Sequence, residues 1–409
     1  MSNEKEAWKE GMYGDEVREK LVEFAEKGWE SIPEDERDMW FSRFKFWGVF
    51  HQRDGQEGYF MLRLANANGQ LTAEQLRAIG EVARDYAAGP IDDPEFGDTW
   101  IDLTTRQSIQ LHWIKLEDVP AIWDKLESVG VTTRSAGGDT MRNIVGCPVA
   151  GKDTAELVET LPILERLEED LRGDDTLANM PRKFNISVTG CREGCAQDAI
   201  NGIGLGPAEK ELDASETPGE AGESQVVTGF NVRIGGGLGG RESRRTRSID
   251  TFVTPENAYE VVRGFVELYH EHGRRDNRQR NRSCFFVEVE RTETIRELLQ
   301  EYVDVDLHRA GRSVRDEYTY NAGRPPEEGK ADHVGVHEQP SGDHYVGLSV
   351  PVGRLTARET IALADLAEAY GSGEIRLTRR QNPLIMDVDD ESLDALLSEP
   401  LLDTYRPSP

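Results

Sequence analysis

Gly69-Gln-Leu-Thr72 returns 284 positions later as Gly353-Arg-Leu-Thr356, and Leu103-Thr-Thr-Arg-Gln107 returns 274 positions later as Leu377-Thr-Arg-Arg-Gln381. The two offsets differ by ten, which fits an insertion around Pro90 to Gly97 in the first copy. Each pair of phrases sits in the same order of elements. GYFMLRLAN reads as a strand, LTAEQLRAIGEVARDYA as a helix with apolar residues three and four apart, TWIDLTTRQSIQLHWI as strand again, and LEDVPAIWDKLESVG as a second helix. Near the C-terminus HYVGLSVPV, GRLTARETIALADLAEAYG, EIRLTRRQNPLIMDV and DDESLDALLSEP repeat strand, helix, strand pair, helix. Internal self-similarity of this kind marks a duplicated unit; chance likeness between two short αβ units is the competing explanation. The copies are placed at 41–132 and 341–409, after an acidic, helix-rich segment over 1–40.

Asp and Glu total 77 against 48 Lys and Arg, a net charge of −29, and only 11 of the basic residues are Lys. Many acids, few Lys and a modest apolar share resemble a protein of a salt-loving organism, where molar salt shortens the Debye length to about 3 Å and self-repulsion costs little. So acidic a field disfavours nucleic-acid binding. The start, MSNEKEAWKEGMYGDEVREK, has no apolar signal-peptide core. No segment approaches the roughly 18 uninterrupted apolar residues of a membrane span. Four cysteines, Cys147, Cys191, Cys195 and Cys284, do not make a disulfide framework in a chain of 409 residues. The expectation is a soluble, cytoplasmic, monomeric protein with no membrane or nucleic-acid partner.

Between the copies lies a section over 133–320, with a helix-like run TAELVETLPILERLEEDL, an acidic loop at 207–225 and then a linker at 321–340. Basic residues are scarce enough for clusters to stand out: Arg241, Arg244, Arg245 and Arg247, then Arg274, Arg275, Arg278, Arg280 and Arg282. Guanidinium pairs with carboxylate or phosphate through two parallel bonds, so a polyanionic ligand explains the clusters; a salt-bridge network with nearby acids explains them equally well. RIGGGLGG, from Arg233 to Gly240, follows a strand-like stretch without the helix a dinucleotide fingerprint needs, and reads as a strand edge against a flat ligand or a turn. Cys191 and Cys195 are spaced C-x3-C, able to grip one edge of an iron–sulfur cluster. Cys284, in SCFFVEV, reads as a core residue of a strand.

Six phrases in order, FMLRL, LTTRQ, MRNIVGCPVAG, LANMPRKFN, RRDNRQRNR and YVGLSVPVGRL with YGSGEIRLTRRQN, resemble the siroheme-containing nitrite and sulfite reductases from about Phe41 onward. The resemblance implies an α+β fold: duplicated ferredoxin-like αβ units with a siroheme-type αβ domain between them. It implies siroheme held by Arg106, Gln107, Asn277, Arg278, Gln279 and Arg282. It also implies a small anion surrounded by Arg63, Arg142 and Lys183, whose charge would stabilise negative charge as electrons arrive. Asn185 stands where sulfite reductases usually carry a second Lys, which favours reduction of nitrite to ammonia with ferredoxin as donor; a sulfite reductase, or a non-catalytic siroheme- or partner-binding protein, is the alternative.

The family's [4Fe–4S] ligands form C-x5-C and C-x3-C pairs in its second half. Family members continue past the position of Pro409, so the second cofactor domain and its cluster ligands are expected beyond that residue. Cys191 and Cys195 occupy the first-half counterpart of C-x3-C, and Cys147 that of the first thiol of C-x5-C. Asp153 stands where the second thiol of that pair would fall. The three thiols are read as a remnant of duplication, with a metal or cluster site as the alternative. The charge balance makes one prediction that needs no structure. The thermal midpoint should climb as KCl rises from about 0.2 M toward about 2 M, as screening removes self-repulsion; a flat midpoint across that range would overturn the halophile reading.

Overall fold

The computed structural model describes residues 2–9, 14–52, 57–93, 97–213, 224–239, 242–314 and 333–407. The chain divides into two compact units, one formed by Asn3–Asn143 with Pro325–Pro409 and the other by Ile144–Arg324. Strands and helices are mixed in both, the expected α+β class.

The first unit contains two sheets, and each copy of the repeat donates a strand to the other's sheet. One sheet runs Val49–His51, Tyr59–Arg63, Ile109–Lys115, Gly97–Leu103, Arg354–Thr356, with Ala88–Asp93 also on Gly97–Leu103. The other runs Gly335–Glu338, His344–Gly347, Pro383–Val388, Glu374–Leu377, Gln70–Thr72. The Gly69–Thr72 and Gly353–Thr356 phrases thus carry the exchanged strands themselves. Leu355 pairs with Ile101, and Leu71 with Ile375, both antiparallel. Arg354 grips Asp102 through two bonds of 2.7 and 3.0 Å across the exchange.

Local chemistry explains why the phrases recur. Thr72 and Thr356 end the exchanged strands and cap the following helices, Ala73–Tyr86 and Ala357–Tyr370, in reciprocal boxes with Gln75 and Glu359. Gly69 and Gly353 turn into the strands at φ of 72° and 71°. A Cβ on Gly69 would lie 2.8 Å from the Leu377 carbonyl, and one on Gly353 2.9 Å from the Leu103 carbonyl, so only glycine fits. The repeated Gln closes the arrangement. Gln107 Nε2 donates to the Leu377 carbonyl at 3.0 Å, and Gln381 Nε2 to the Leu103 carbonyl at 2.7 Å. The two capped helices face each other closely: a Cβ on Gly80 would lie 2.7 Å from Ile361 Cγ1. The N-terminal segment belongs to this unit, with Phe24, Trp40 and Phe44 ringed together and Phe41 edge-on to Phe60 at 5.6 Å.

In the second unit one sheet runs Arg247–Val253, Gln225–Ile234, Ile203–Leu212, Arg312–Ser313, with Ile186–Val188 parallel to Ile203–Leu212. Phe184, Phe265, Tyr269 and Phe286 form its aromatic core. Four expectations need correction. The acidic loop begins late, because the strand runs on to Leu212 and pairs it with Gln225; residues 214–223 lie outside the described residues. SCFFVEV is the helix Ser283–Val289: a short, mostly buried apolar run has no period to betray its type. In TAELVETLPILERLEEDL the helix starts only at Leu161, with Pro162 in its first turn, while Leu157 and Val158 donate their N–H groups to the Gly190 carbonyl. The linker expected at 321–340 ends in strand Gly335–Glu338, and 315–332 lie outside the described residues.

Removing one Gln leaves a buried carbonyl without its donor. Gln107→Ala and Gln381→Ala should each lower the unfolding free energy by about 1–3 kcal/mol, read as a lower urea midpoint at unchanged slope. A variant as stable as the parent would deny these bonds their role in the exchange.

Candidate functional site

Arg63 ends strand Tyr59–Arg63, opposite Gln110 on Ile109–Lys115. With the Gln110 amide turned so that its oxygen faces the guanidinium, that oxygen accepts from Arg63 Nε at 3.0 Å and Nη2 at 2.9 Å. Arg63 Nη1 donates to the Ala136 carbonyl at 3.3 Å, and the group lies over the Phe50 ring at 4.6 Å. All these partners are neutral, and burial pushes the Arg63 pKa down to about 10. Arg142 donates to the same Ala136 carbonyl at 3.1 Å and to the Gly138 carbonyl at 2.7 Å. Two guanidinium groups therefore converge on one carbonyl.

Arg106 and Gln107 share the turn between strands Gly97–Leu103 and Ile109–Lys115. Arg106 Nη2 donates to the Asn143 carbonyl at 2.5 Å, and the Asn143 side chain returns a bond of 2.9 Å to the Arg106 carbonyl. Asn66 donates to the Gln107 carbonyl at 3.0 Å. Gln107 is fully buried and its amide nitrogen faces the carbonyls of Asn68 and Leu377, so its side chain serves the exchange.

In the second unit Lys183 and Asn185 lead into strand Ile186–Val188. Alternation places Lys183, Asn185, Ser187, Thr189 and Cys191 on one face, with Phe184, Ile186 and Val188 on the other. Asn185 Oδ1, Ser187 Oγ and Thr189 Oγ1 are buried and accept or donate no hydrogen bond among the described residues. Buried polar atoms are almost always partnered, so three in a row mark a face that water or a ligand completes. The sequence motifs point to Lys183 and Asn185 but not to Ser187 and Thr189; the strict polar–apolar alternation is the signal that could have found them. Gln110 and Asn143 were missed as well, and Gln110 is recoverable from its pairing opposite Arg63.

The basic clusters divide. Arg244 pairs with Glu242 at 2.7 Å and Arg274 with Asp276 at 2.7 Å, the salt-bridge reading. Arg275 donates to the Asn179 carbonyl at 2.8 Å. Asn277 Oδ1 accepts from the Gln279 N–H at 3.1 Å and shapes the loop, in which Arg278 is half-buried and Asn277 and Gln279 are exposed. Arg282 donates to the Leu238 carbonyl at 2.6 Å, so it lies against the glycine run, and burial lowers its pKa. Gly235 and Gly236 extend the strand's bonding to Gly202 and Asn201 and Gly237 pairs with Arg244, so the stretch continues a strand edge through Gly239; Gly240 lies outside the described residues. Arg241 lies outside the described residues.

Cys147, Cys191 and Cys195 converge. The ligating atoms of Cys147, Asp153 and Cys191 lie within 4.8 Å of one another, and those of Cys147 and Cys195 equally close. Hydrogen bonds from Cys147 and Cys195, then the N–H groups of Glu193 and Gly194, hold the Cys191 thiol pKa down against burial. The Cys147 thiol is pushed up by its bond to Cys191, its bond to Cys195 and burial. Cys284, in its helix, is simply buried, which raises its pKa.

Residues 137–307 match the nitrite and sulphite reductase 4Fe-4S domain, and 51–92, 94–129 and 337–402 match the nitrite/sulfite reductase ferredoxin-like half domain. The chain is 67% identical over 411 residues to the assimilatory ferredoxin-dependent nitrite reductase of Haloferax mediterranei, covering 100% of this chain and 68% of that protein. It is 34% identical to the ferredoxin–nitrite reductase of Synechococcus elongatus, covering 96% of this chain and 70% of that one. The solved structure of the NirA protein of Mycobacterium tuberculosis superposes with a TM-score of 0.80 at 27% identity, over 96% of this chain and 68% of that one. No described helix is long and apolar enough to cross a membrane. The half-domain matches fall on the two exchanged copies and the 4Fe-4S domain match on the section between them, and the chain belongs to the nitrite and sulfite reductase family.

Proposed function

We propose that this chain carries the substrate- and siroheme-handling residues of a ferredoxin-dependent nitrite reductase. The observation that carries the reading is the 67% identity to the Haloferax enzyme along the whole chain. The reaction takes nitrite, six electrons and eight protons to ammonium and two waters. Siroheme, when bound, supplies the iron that receives the anion, and the family's [4Fe–4S] cluster supplies electrons that come from ferredoxin.

The residues present fit a macrocycle rich in carboxylates. Arg106, Arg278 and Arg282 offer guanidinium donors, and exposed Asn277 and Gln279 offer amides. Gln107 contributes by placing Arg106, since its own amide is engaged at 3.0 Å with Leu377. The thiols fit a cubane poorly, because such a cluster puts each thiolate on a separate iron, with sulfides between, while the Cys147 sulfur lies within 4.8 Å of that of Cys191 and of that of Cys195. No step is routed through them.

In the first unit Arg63 and Arg142 are assigned to the anion's oxygens. Their charge offsets the negative charge that accumulates as electrons arrive. In the second unit Lys183 is assigned to donate a proton or hydrogen bond, with the Asn185 amide on the same face. The unpartnered hydroxyls of Ser187 and Thr189 continue that face, where they would order water able to carry some of the eight protons. Asn185 in place of a second cation favours nitrite over the dianionic sulfite.

Arg63 separates function from stability. Among the described residues its buried charge has only neutral partners, so Arg63→Met should raise the unfolding free energy of the ligand-free protein by about 1–2 kcal/mol. The same change should lower kcat/KM for nitrite by about 10²–10³-fold. Steady-state turnover with reduced ferredoxin and a denaturant titration check both. Undiminished nitrite turnover would remove Arg63 from the substrate site, and faster sulfite than nitrite turnover by the parent would replace the nitrite reading.

A further inference from the structure

We propose that Cys147, Cys191, Cys195 and Asp153 bind one tetrahedral zinc ion, in a closed structural site. This goes beyond the nitrite reading and does not depend on it. A zinc ion about 2.3 Å from each sulfur holds its ligand atoms about 3.8 Å apart. The ligating atoms of Cys147, Asp153 and Cys191 lie within 4.8 Å of one another, and that of Cys195 lies within 4.8 Å of Cys147, so Cys147 is common to every close pair of thiols. That is the spacing of ligands around a single ion.

Donor chemistry agrees. Thiolates with one oxygen or nitrogen ligand are the zinc preference, and four protein ligands leave no open position for catalysis. Cys147 and Cys191 are each 1% exposed and Asp153 is 5% exposed. A buried carboxylate gathered with buried thiols is a donor set suited to a cation.

Two short segments bring the donors together. After Cys147 the backbone turns, Ala150 N–H to the Cys147 carbonyl at 3.2 Å and Lys152 N–H to the Val149 carbonyl at 2.9 Å, which returns Asp153 toward its start. Asp153 Oδ1 is steadied by the Ala155 N–H at 2.9 Å. The strand Ile186–Val188 leads to Cys191, and Gly194, at a φ of 69°, turns the chain so that Cys195 comes back beside it. Glu156 bridges to Cys191, which joins the two segments. The ion would staple them, as a disulfide does in an oxidising compartment.

The test is elemental analysis of the purified protein, paired with cobalt substitution. About one zinc per chain is expected, with at least a tenfold loss in Cys147→Ser and in Cys195→Ser. Because a lost thiol could unfold the unit, the parent itself gives the second readout. Co²⁺ added after chelator treatment should give thiolate-to-cobalt charge transfer and the visible bands of a tetrahedral ion. Asp153→Ala, which keeps every thiol, should shift those visible bands. Zinc absent from the parent with no cobalt spectrum, or zinc unchanged in both Ser variants, overturns the proposal. Iron with acid-labile sulfide that disappears in the same variants also overturns it, and assigns a cluster to these thiols. None of these readouts involves nitrite, so failure of the catalytic reading leaves them intact.

Discussion

The first unit depends on the reciprocal hydrogen bonds of Gln107 to Leu377 and Gln381 to Leu103. Each copy of the repeat lacks one edge strand until the other supplies it, so the sheets are completed together or not at all. The same bonds reach the candidate site. Gln107 sits at a φ of 53° in the turn that carries Arg106. Arg106 is fastened to Asn143, Asn143 adjoins Arg142, and Arg142 shares the Ala136 carbonyl with Arg63. The exchange and the candidate site are thus joined by hydrogen bonds and short stretches of backbone.

What could be read in the sequence follows from this. GxLT and LTxRQ stood out because each position has its own physical demand: a glycine at positive φ, a strand residue facing the core, a capping Thr, a Gln reaching a carbonyl. Their partnership was hidden, since three-residue strands carry no pattern that names the strand they pair with. Local ambiguity explains other misreadings. SCFFVEV is buried over its first five positions, so neither helical nor strand spacing shows. TAELVET has helix-forming residues, yet two of its N–H groups are claimed by Gly190, far along the chain. The stripe from Lys183 to Cys191 was legible as alternation, but its meaning lies in the unpartnered hydroxyls of Ser187 and Thr189, which only the folded chain reveals.

Family spacing and site chemistry also come apart at the thiols. C-x3-C with a third Cys upstream is compatible with a cubane or a single ion, because sequence separation limits the span between ligands without fixing it. Cys147 within 4.8 Å of Cys191, of Asp153 and of Cys195 is the convergence on which the single-ion proposal rests. Duplicated halves free one copy from the duty performed by the other. A donor set retained in such a half can take a smaller guest, provided the guest stabilises the unit it occupies.

Charge sets the last constraint. A net charge of −29 repels a small anion at long range. In molar salt that repulsion is confined to about 3 Å from each charge, and only groups in contact with the anion count. Under the proposed function the pair of guanidinium groups at the Ala136 carbonyl would govern recognition, and neutral surroundings would be an advantage. A carboxylate beside Arg63 would relieve its burial but cancel the charge offered to the ligand. The lowered pKa of Arg63 is therefore a cost of keeping its charge uncommitted. It still lies far enough above neutrality for the group to stay cationic when the anion arrives.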